Sequence, residues 1–385
     1  MTLTTTVIIL SSLIAYGAAY IEYSAICNNE TFTMRISGNI LTRKFITSGS
    51  IRCINITSGN IRYMENGAFD GVPNLTYLNL EGNYISLSNL FSFGSIANLK
   101  ALILSNQREN YYDLVVPINL TYPELRYLNL RNNEIISITN YDENSFPKLK
   151  HLDISYNRFS SFTFTGTWAN TLKYLQLDNN EISDISLSTL KNLETLAMNN
   201  NNIRNIAYDF HRENNLDLTG LNNLKHLSVA NNSITWIDKL VFNETVKLRY
   251  LDLSYNQLSS TVLDSETFAL LTSLKVLVLN GNELETIPFT TPLNITALWL
   301  NCNNLANLTA SSFSNVPYLK TLSLARNKIS RIDTDVFYSL RMLEKLYLND
   351  NDLSYLPHLE RERTRDLRYL DLSRNKFTTL DDVFD

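Results

Sequence analysis

The sequence predicts a solenoid of the α/β type: a horseshoe with a parallel β-sheet on its concave side and irregular or short-helical segments on its convex side. Three observations carry this expectation. An eleven-residue template, Leu-x-x-Leu-x-Leu-x-x-Asn-x-Leu with any aliphatic residue or Phe at the apolar places, fits thirteen times. Successive fits begin 21 to 26 residues apart, with a single step of 31. Within each fit the fourth and sixth positions are apolar and their neighbours vary, which is the alternation of a short strand with one buried face.

The first positions are Leu75, Leu99, Leu125, Leu149, Leu172, Leu193, Leu224, Leu248, Leu274, Ile295, Leu319, Leu343 and Leu367. The clearest copies read LRYLNLRNNEI from 125, LRYLDLSYNQL from 248 and LRYLDLSRNKF from 367, and a degenerate earlier copy, IRCINITSGNI, begins at Ile51. One coil cannot bury its own apolar face, so the copies stack, each return advancing the chain by about 4.8 Å. Thirteen strands at that spacing make an inner arc of about 60 Å, long enough to hold a protein or a peptide. The ninth position lies where the strand turns inward, and an amide there can satisfy backbone groups that the turn leaves unpaired. Asn83, Asn133, Asn157, Asn180, Asn201, Asn232, Asn256, Asn282, Asn303, Asn327, Asn351 and Asn375 occupy it. Gln107 takes the remaining place, where a local slip or a wider turn is expected.

This pattern resembles the leucine-rich repeat, in particular its extracellular class of roughly 24 residues per repeat. Several copies carry that class's second half, an aliphatic residue followed by Phe: Ile61 to Phe69, Ile237 to Phe242, Leu308 to Phe313 and Ile332 to Phe337. The resemblance covers about residues 51 to 385. It implies a recognition protein of the kind of Toll-type receptor ectodomains, chaoptin-like adhesion proteins and secreted insect immune proteins, with a role in innate immunity or cell adhesion. It also implies a disulfide-bonded N-terminal cap, for which Cys27 and Cys53 are the candidates, although the family's cap normally has four cysteines.

The organisation expected is a signal peptide over 1–19, a cap and degenerate first repeat over 20–74, and thirteen repeats over 75–385 with the last incomplete. An apolar run from Val7 to Ala15 precedes the small residues Gly17, Ala18 and Ala19, which reads as a secretory signal. No later stretch is apolar enough to span a membrane. The closing FTTLDDVFD matches the middle of the copy around 331–340, so the chain stops in mid-coil. That is expected of a fragment, such as the ectodomain of a membrane-anchored receptor, or of an end covered by a partner. Cys302, at an eighth position, is left over; it is read as exposed and as a candidate thiol for a disulfide-linked dimer. Asn-x-Ser/Thr acceptors for glycans stand at Asn29, Asn55, Asn74, Asn119, Asn231, Asn243, Asn294 and Asn307, and with 49 Asn in the chain this number is what chance supplies.

Leu and Asn build the scaffold, so function belongs to other positions. The third and fifth positions point away from the Leu core. One neighbourhood gathers Tyr127, Asn129, His151, Asp153, Tyr174 and Gln176, a Tyr-rich polar surface suited to protein binding. A second gathers Val276, Val278, Ala297, Trp299 and Tyr347, apolar residues expected to face solvent. The second positions are basic at Lys100, Arg126, Lys150, Lys173, Lys225, Arg249, Lys275, Lys320 and Arg368. Such an edge suits a polyanion, as in a matrix protein, or else is a solubilising rim paired with Asp and Glu. The extra residues around AYDFHRENNLDLTGL are expected to emerge as a loop.

The net charge of -5 and the lack of a Lys/Arg block argue against nucleic acid as the partner. Four His and three Cys leave little for chemistry. No nucleophile accompanies His151 and Asp153, and His151 and His226 are three strands, about 15 Å, apart, too far to share a metal. No cofactor is implied. The reading is a non-catalytic extracellular protein that binds a protein or other macromolecule.

Overall fold

The structure, a computed structural model, describes residues 27, 31–108, 114–139, 144–164, 166–207, 213–263, 266–357 and 366–379. The segment expected as a signal, 1–19, and the glycan acceptor Asn29 lie outside these residues. The chain divides into two compact units, Met1–Met198 and Asn199–Asp385, at the one step of 31 residues.

In the first unit the strands Thr31–Thr33, Cys53–Asn55, Tyr77–Asn79, Ala101–Ile103, Tyr127–Asn129, His151–Asp153, Tyr174–Gln176 and Thr195–Ala197 pair in that order. In the second, His226–Ser228, Tyr250–Asp252, Val276–Val278, Ala297–Trp299, Thr321–Ser323, Lys345–Tyr347 and Tyr369–Asp371 do the same. Every pairing is parallel and sets third position against third position. The fold is a parallel-strand solenoid, coil on coil, and among the described residues helix is confined to short 3-10 turns such as Leu87–Asn89 and Thr167–Asn170.

The core is the stack of template leucines: Leu128, Leu152 and Leu175, for example, pair in register and are buried. Leu367, Leu370 and Leu372 of the last copy are only half-buried. Behind the strands runs an aromatic spine with one ring per coil. Phe69, Phe93, Tyr122, Phe146 and Trp168 follow one another at 5.7 to 6.3 Å in the first unit. Phe242, Phe268 and Phe289 do so at 6.2 Å in the second. The buried Tyr122 hydroxyl donates to the Gly94 carbonyl, and burial drives its pKa far above the ordinary phenol value.

The ninth-position amides tie each coil to the one before. Asn256 Nδ2 donates to the carbonyls of Leu253 in its own coil and Val229 in the preceding one, while its Oδ1 accepts the Ile234 N–H. Gln107 corrects the expectation of a slip. Its longer side chain reaches the same partners, the Leu80 and Leu104 carbonyls and the Ile85 N–H, and the pairing of Ala101–Ile103 continues in register on both sides.

A second regularity escaped the sequence reading. All fourteen eighth positions, from Ser58 to Arg374, have φ between 52° and 72°. The left-handed conformation turns the chain out of the strand, and it suits Asn and Gly far better than other residues. Gly281 shows a further need: a Cβ there would stand 2.5 Å from the Tyr255 ring.

Cys27 and Cys53 are joined by a disulfide with Cα atoms 5.9 Å apart. Of the insertion expected as a loop, residues 208–212 lie outside the described residues, and the part after them places Asn215–Asp217 as a buried strand parallel to Asn205–Ile206. Leu216 supplies the reason, because it continues the apolar back of the coil and is fully buried.

Candidate recognition surface

The open face of each ladder carries the third- and fifth-position side chains, and the two units use it differently. In the first unit these side chains close over one another. Tyr127, His151 and Asp153, expected at a solvent-facing site, are only 7%, 3% and 2% exposed. Strands stacked at about 4.8 Å bring equivalent side chains into direct contact, so large neighbours shield each other. The His151 ring lies parallel to Tyr174 at 4.2 Å, and Tyr127 stands 6.1 Å away on its other side. Asn129 and Gln176 are buried as well, so Tyr174 alone of the six residues gathered there is partly exposed. Burial, reinforced by Lys150 and Lys173, depresses His151 to a pKa of about 4, so the ring is neutral at pH 7.

The fifth-position Asn and Asp residues have a structural duty that the sequence reading missed. Oδ1 of Asn79, Asn129, Asp153, Asp252 and Asp371 accepts the N–H two residues later, closing an Asx turn where the strand ends. The signal was an Asn or Asp two residues before the seventh position. Asp153 Oδ2 is buried and has no partner, and burial raises the pKa of this carboxyl above the usual range.

In three copies of the second unit the duty passes to the preceding coil. Asn199 accepts the Ala230 N–H, Asn280 accepts that of Asn301, and Asn301 accepts that of Ala325. The fifth position is thereby released from capping. It is Ser228, Trp299 and Ser323 in these copies.

Trp299 uses this freedom. Its ring stacks on Tyr347, two strands away, at 6.2 Å and 25°, and Tyr347 contacts Tyr369 at 4.9 Å. The small Ser323 between them in register is covered and 1% exposed. Val278, expected to face solvent, is the register partner of Trp299 on the neighbouring strand and is 1% exposed, which corrects that expectation. Trp299 and Tyr347 are partly exposed, Tyr369 is 45% exposed, and Val276, Ala297 and Thr321 border them half-buried. Burial, with Tyr369 and Asp371 nearby, raises the Tyr347 pKa and keeps its hydroxyl a neutral donor at pH 7.

Other expected residues fall elsewhere. Cys302 is half-buried rather than fully exposed, in the left-handed turn at φ 57°. Asn74, Asn119, Asn231, Asn243, Asn294 and Asn307 are exposed and off the strands' open face. Asn55 alone among the described acceptors ends a ladder strand. It lines a polar hollow of about 710 Å³ together with Ser58, Asn79, Glu81, Asn106 and Glu134. Among the described residues no group of His, Cys, Asp and Glu could hold a metal ion. No helix among them is long and apolar enough to cross a membrane.

Leucine-rich repeat family models match residues 50–108, 217–258 and 294–353, then 123–165 as paired repeats, and 171–193 and 366–385 as single ones. Together these matches cover most of the chain, and it belongs to the leucine-rich repeat family, with the repeat period of the extracellular type. Among similar proteins, lumican of Rattus norvegicus is 25% identical over 287 residues, 74% of this chain and 72% of that protein. Osteomodulin of the same species is 25% identical over 223 residues, and there the match spans 57% of this chain and only 45% of that protein. Among solved structures, a leucine-rich repeat protein of Leptospira interrogans superposes with a TM-score of 0.70 at 24% identity, covering 90% of this chain and 85% of that one. The LRIM1/APL1C complex gives 0.64 at 22%, covering 88% and 61%.

Proposed function

We propose that the protein is a non-catalytic, secreted recognition protein that holds a protein or other extracellular macromolecule on the open face of its second unit. The observation that carries this reading is the partly exposed stack of Trp299, Tyr347 and Tyr369. Aromatic side chains supply large contact area at low entropic cost, and they dominate the energy of protein interfaces. The scaffold here frees a fifth position from capping and places an indole in it. On the first unit's open face the matching Tyr127 and His151 rings are packed against their neighbours and buried, and the partly exposed Tyr77 and Tyr174 are its accessible rings.

The relatives fit this reading. A solved structure of the same fold, LRIM1/APL1C, is itself a complex, the kind of assembly proposed for this chain, in innate immunity or cell adhesion. The test is a photo-crosslinking residue placed at Ala297 or, as a control, at the exposed Lys328 outside this face, with the protein incubated in native extracellular fluid. A saturable adduct at 297, competed by unlabelled protein and missing at 328, is expected. Equal labelling at both positions overturns the reading.

A further inference from the structure

Second-position side chains form a row along the edge where each ladder strand begins. In the first unit the row reads Arg52, Thr76, Lys100, Arg126, Lys150, Lys173, and then Glu194. Its main chain is fixed twice at every step. The Arg52 carbonyl accepts the N–H groups of both Thr76 and Tyr77, that of Lys100 those of Arg126 and Tyr127, and that of Lys150 those of Lys173 and Tyr174. The cations therefore project from a rigid support at the strand spacing, and Arg52 to Lys173 covers five steps, about 24 Å.

Acidic neighbours neutralise only part of this row. Lys173 pairs with Glu194 at 2.6 Å, and Glu124, just outside the row, pairs with Lys148. Arg52, Lys100, Arg126 and Lys150 have no carboxylate within ion-pair distance among the described residues. Arg52 is exposed and the other three partly so. The chain as a whole carries -5, so this edge concentrates positive charge on a protein whose net charge repels polyanions.

We propose that this edge docks a linear sulfated polysaccharide. A row of single cations one strand apart from Lys100 to Lys173, with Arg52 two strands further on, matches an extended polymer that carries a permanent anion on successive units. Single-stranded nucleic acid asks for aromatic side chains on which its bases stack, and this row contains none. The proposal is independent of the aromatic face on the second unit.

The test uses a fluorescent, fully sulfated heparin-type oligosaccharide and the whole chain, read by anisotropy across a salt series. Wild-type protein is compared with K100Q/R126Q/K150Q and with K239Q/K328Q/R341Q, which changes net charge equally away from the edge. At about 0.15 M salt the edge variant is expected to bind at least about tenfold more weakly. Its log-log salt slope is expected to be shallower by about three, one for each cation removed, while the control matches wild type. All seven cations concerned, Arg52 included, lie at the surface, and thermal melts confirm that the variants fold. The proposal is overturned if wild type does not bind at that salt, if both variants lose affinity equally, or if a single-stranded RNA homopolymer binds as tightly with the same slope.

Discussion

At the scale of single residues, the ninth-position amides carry the tightest obligations. Asn256→Ala strands the Val229 and Leu253 carbonyls and the Ile234 N–H inside the protein, a change expected to cost about 1–3 kcal/mol in urea unfolding. An unchanged midpoint would mean that these bonds are replaceable. Cys302 sits at φ 57° where Asn106, Asn132, Asn179, Asn200 and Asn231 stand in other copies. Cys302→Asn is expected to stabilise by up to about 1 kcal/mol, and on a non-reducing gel it tests whether this thiol links two chains. A wild-type protein that runs only as monomer removes the dimer. Asp153 has a raised carboxyl pKa, so the folded state holds its proton more tightly than the unfolded chain does. Its stabilising effect is complete below the unfolded pKa and is lost as pH rises through the folded one. Asp153→Asn keeps the acceptor for the Ser155 N–H and discards the charge. The variant is expected to unfold at higher urea than wild type at pH 7, with the gap closing as pH falls toward 3; a gap that does not depend on pH contradicts this.

At the scale of the strand and its turn, capping decides which positions are free to bind. Where the fifth residue is Asn or Asp it caps its own turn, and where it is Trp299 or Ser323 the preceding coil's Asn does so. Asn280→Ala should therefore leave the Asn301 N–H unpaired beside Trp299 and lower stability by about 1–2 kcal/mol; a neutral result by denaturant titration would refute the assignment. The strands, their parallel register and the Leu core were legible from the repeat alone, because period and alternation are properties of the sequence. Exposure on the open face was not. His151 is buried because Tyr127 and Tyr174 flank it across the ladder, and Val278 is buried where the large Trp299 is its register partner on the next strand. Those neighbours are 21 to 24 residues away in the chain, and whether they shield a position depends on ring size and tilt. Gln107 misled for a similar reason, since its extra methylene is absorbed without moving the strand.

At the scale of the whole molecule, each unit repeats one coil, and the copies differ chiefly in what they leave exposed. The first unit buries most of its open-face side chains and keeps its edge charged; the second opens an aromatic surface around Trp299. The central claim is that this surface makes the contact, and the most direct measurement is competition. The concentration of unlabelled Trp299→Ala protein needed to displace the adduct formed at position 297 is compared with that of wild type, alongside both unfolding midpoints. An aromatic anchor at the centre of an interface is worth about 2 kcal/mol or more, so the variant should compete at least about tenfold less well with its midpoint nearly unchanged. Equal competition by a folded variant would show that the Trp299 surface is not where the partner binds.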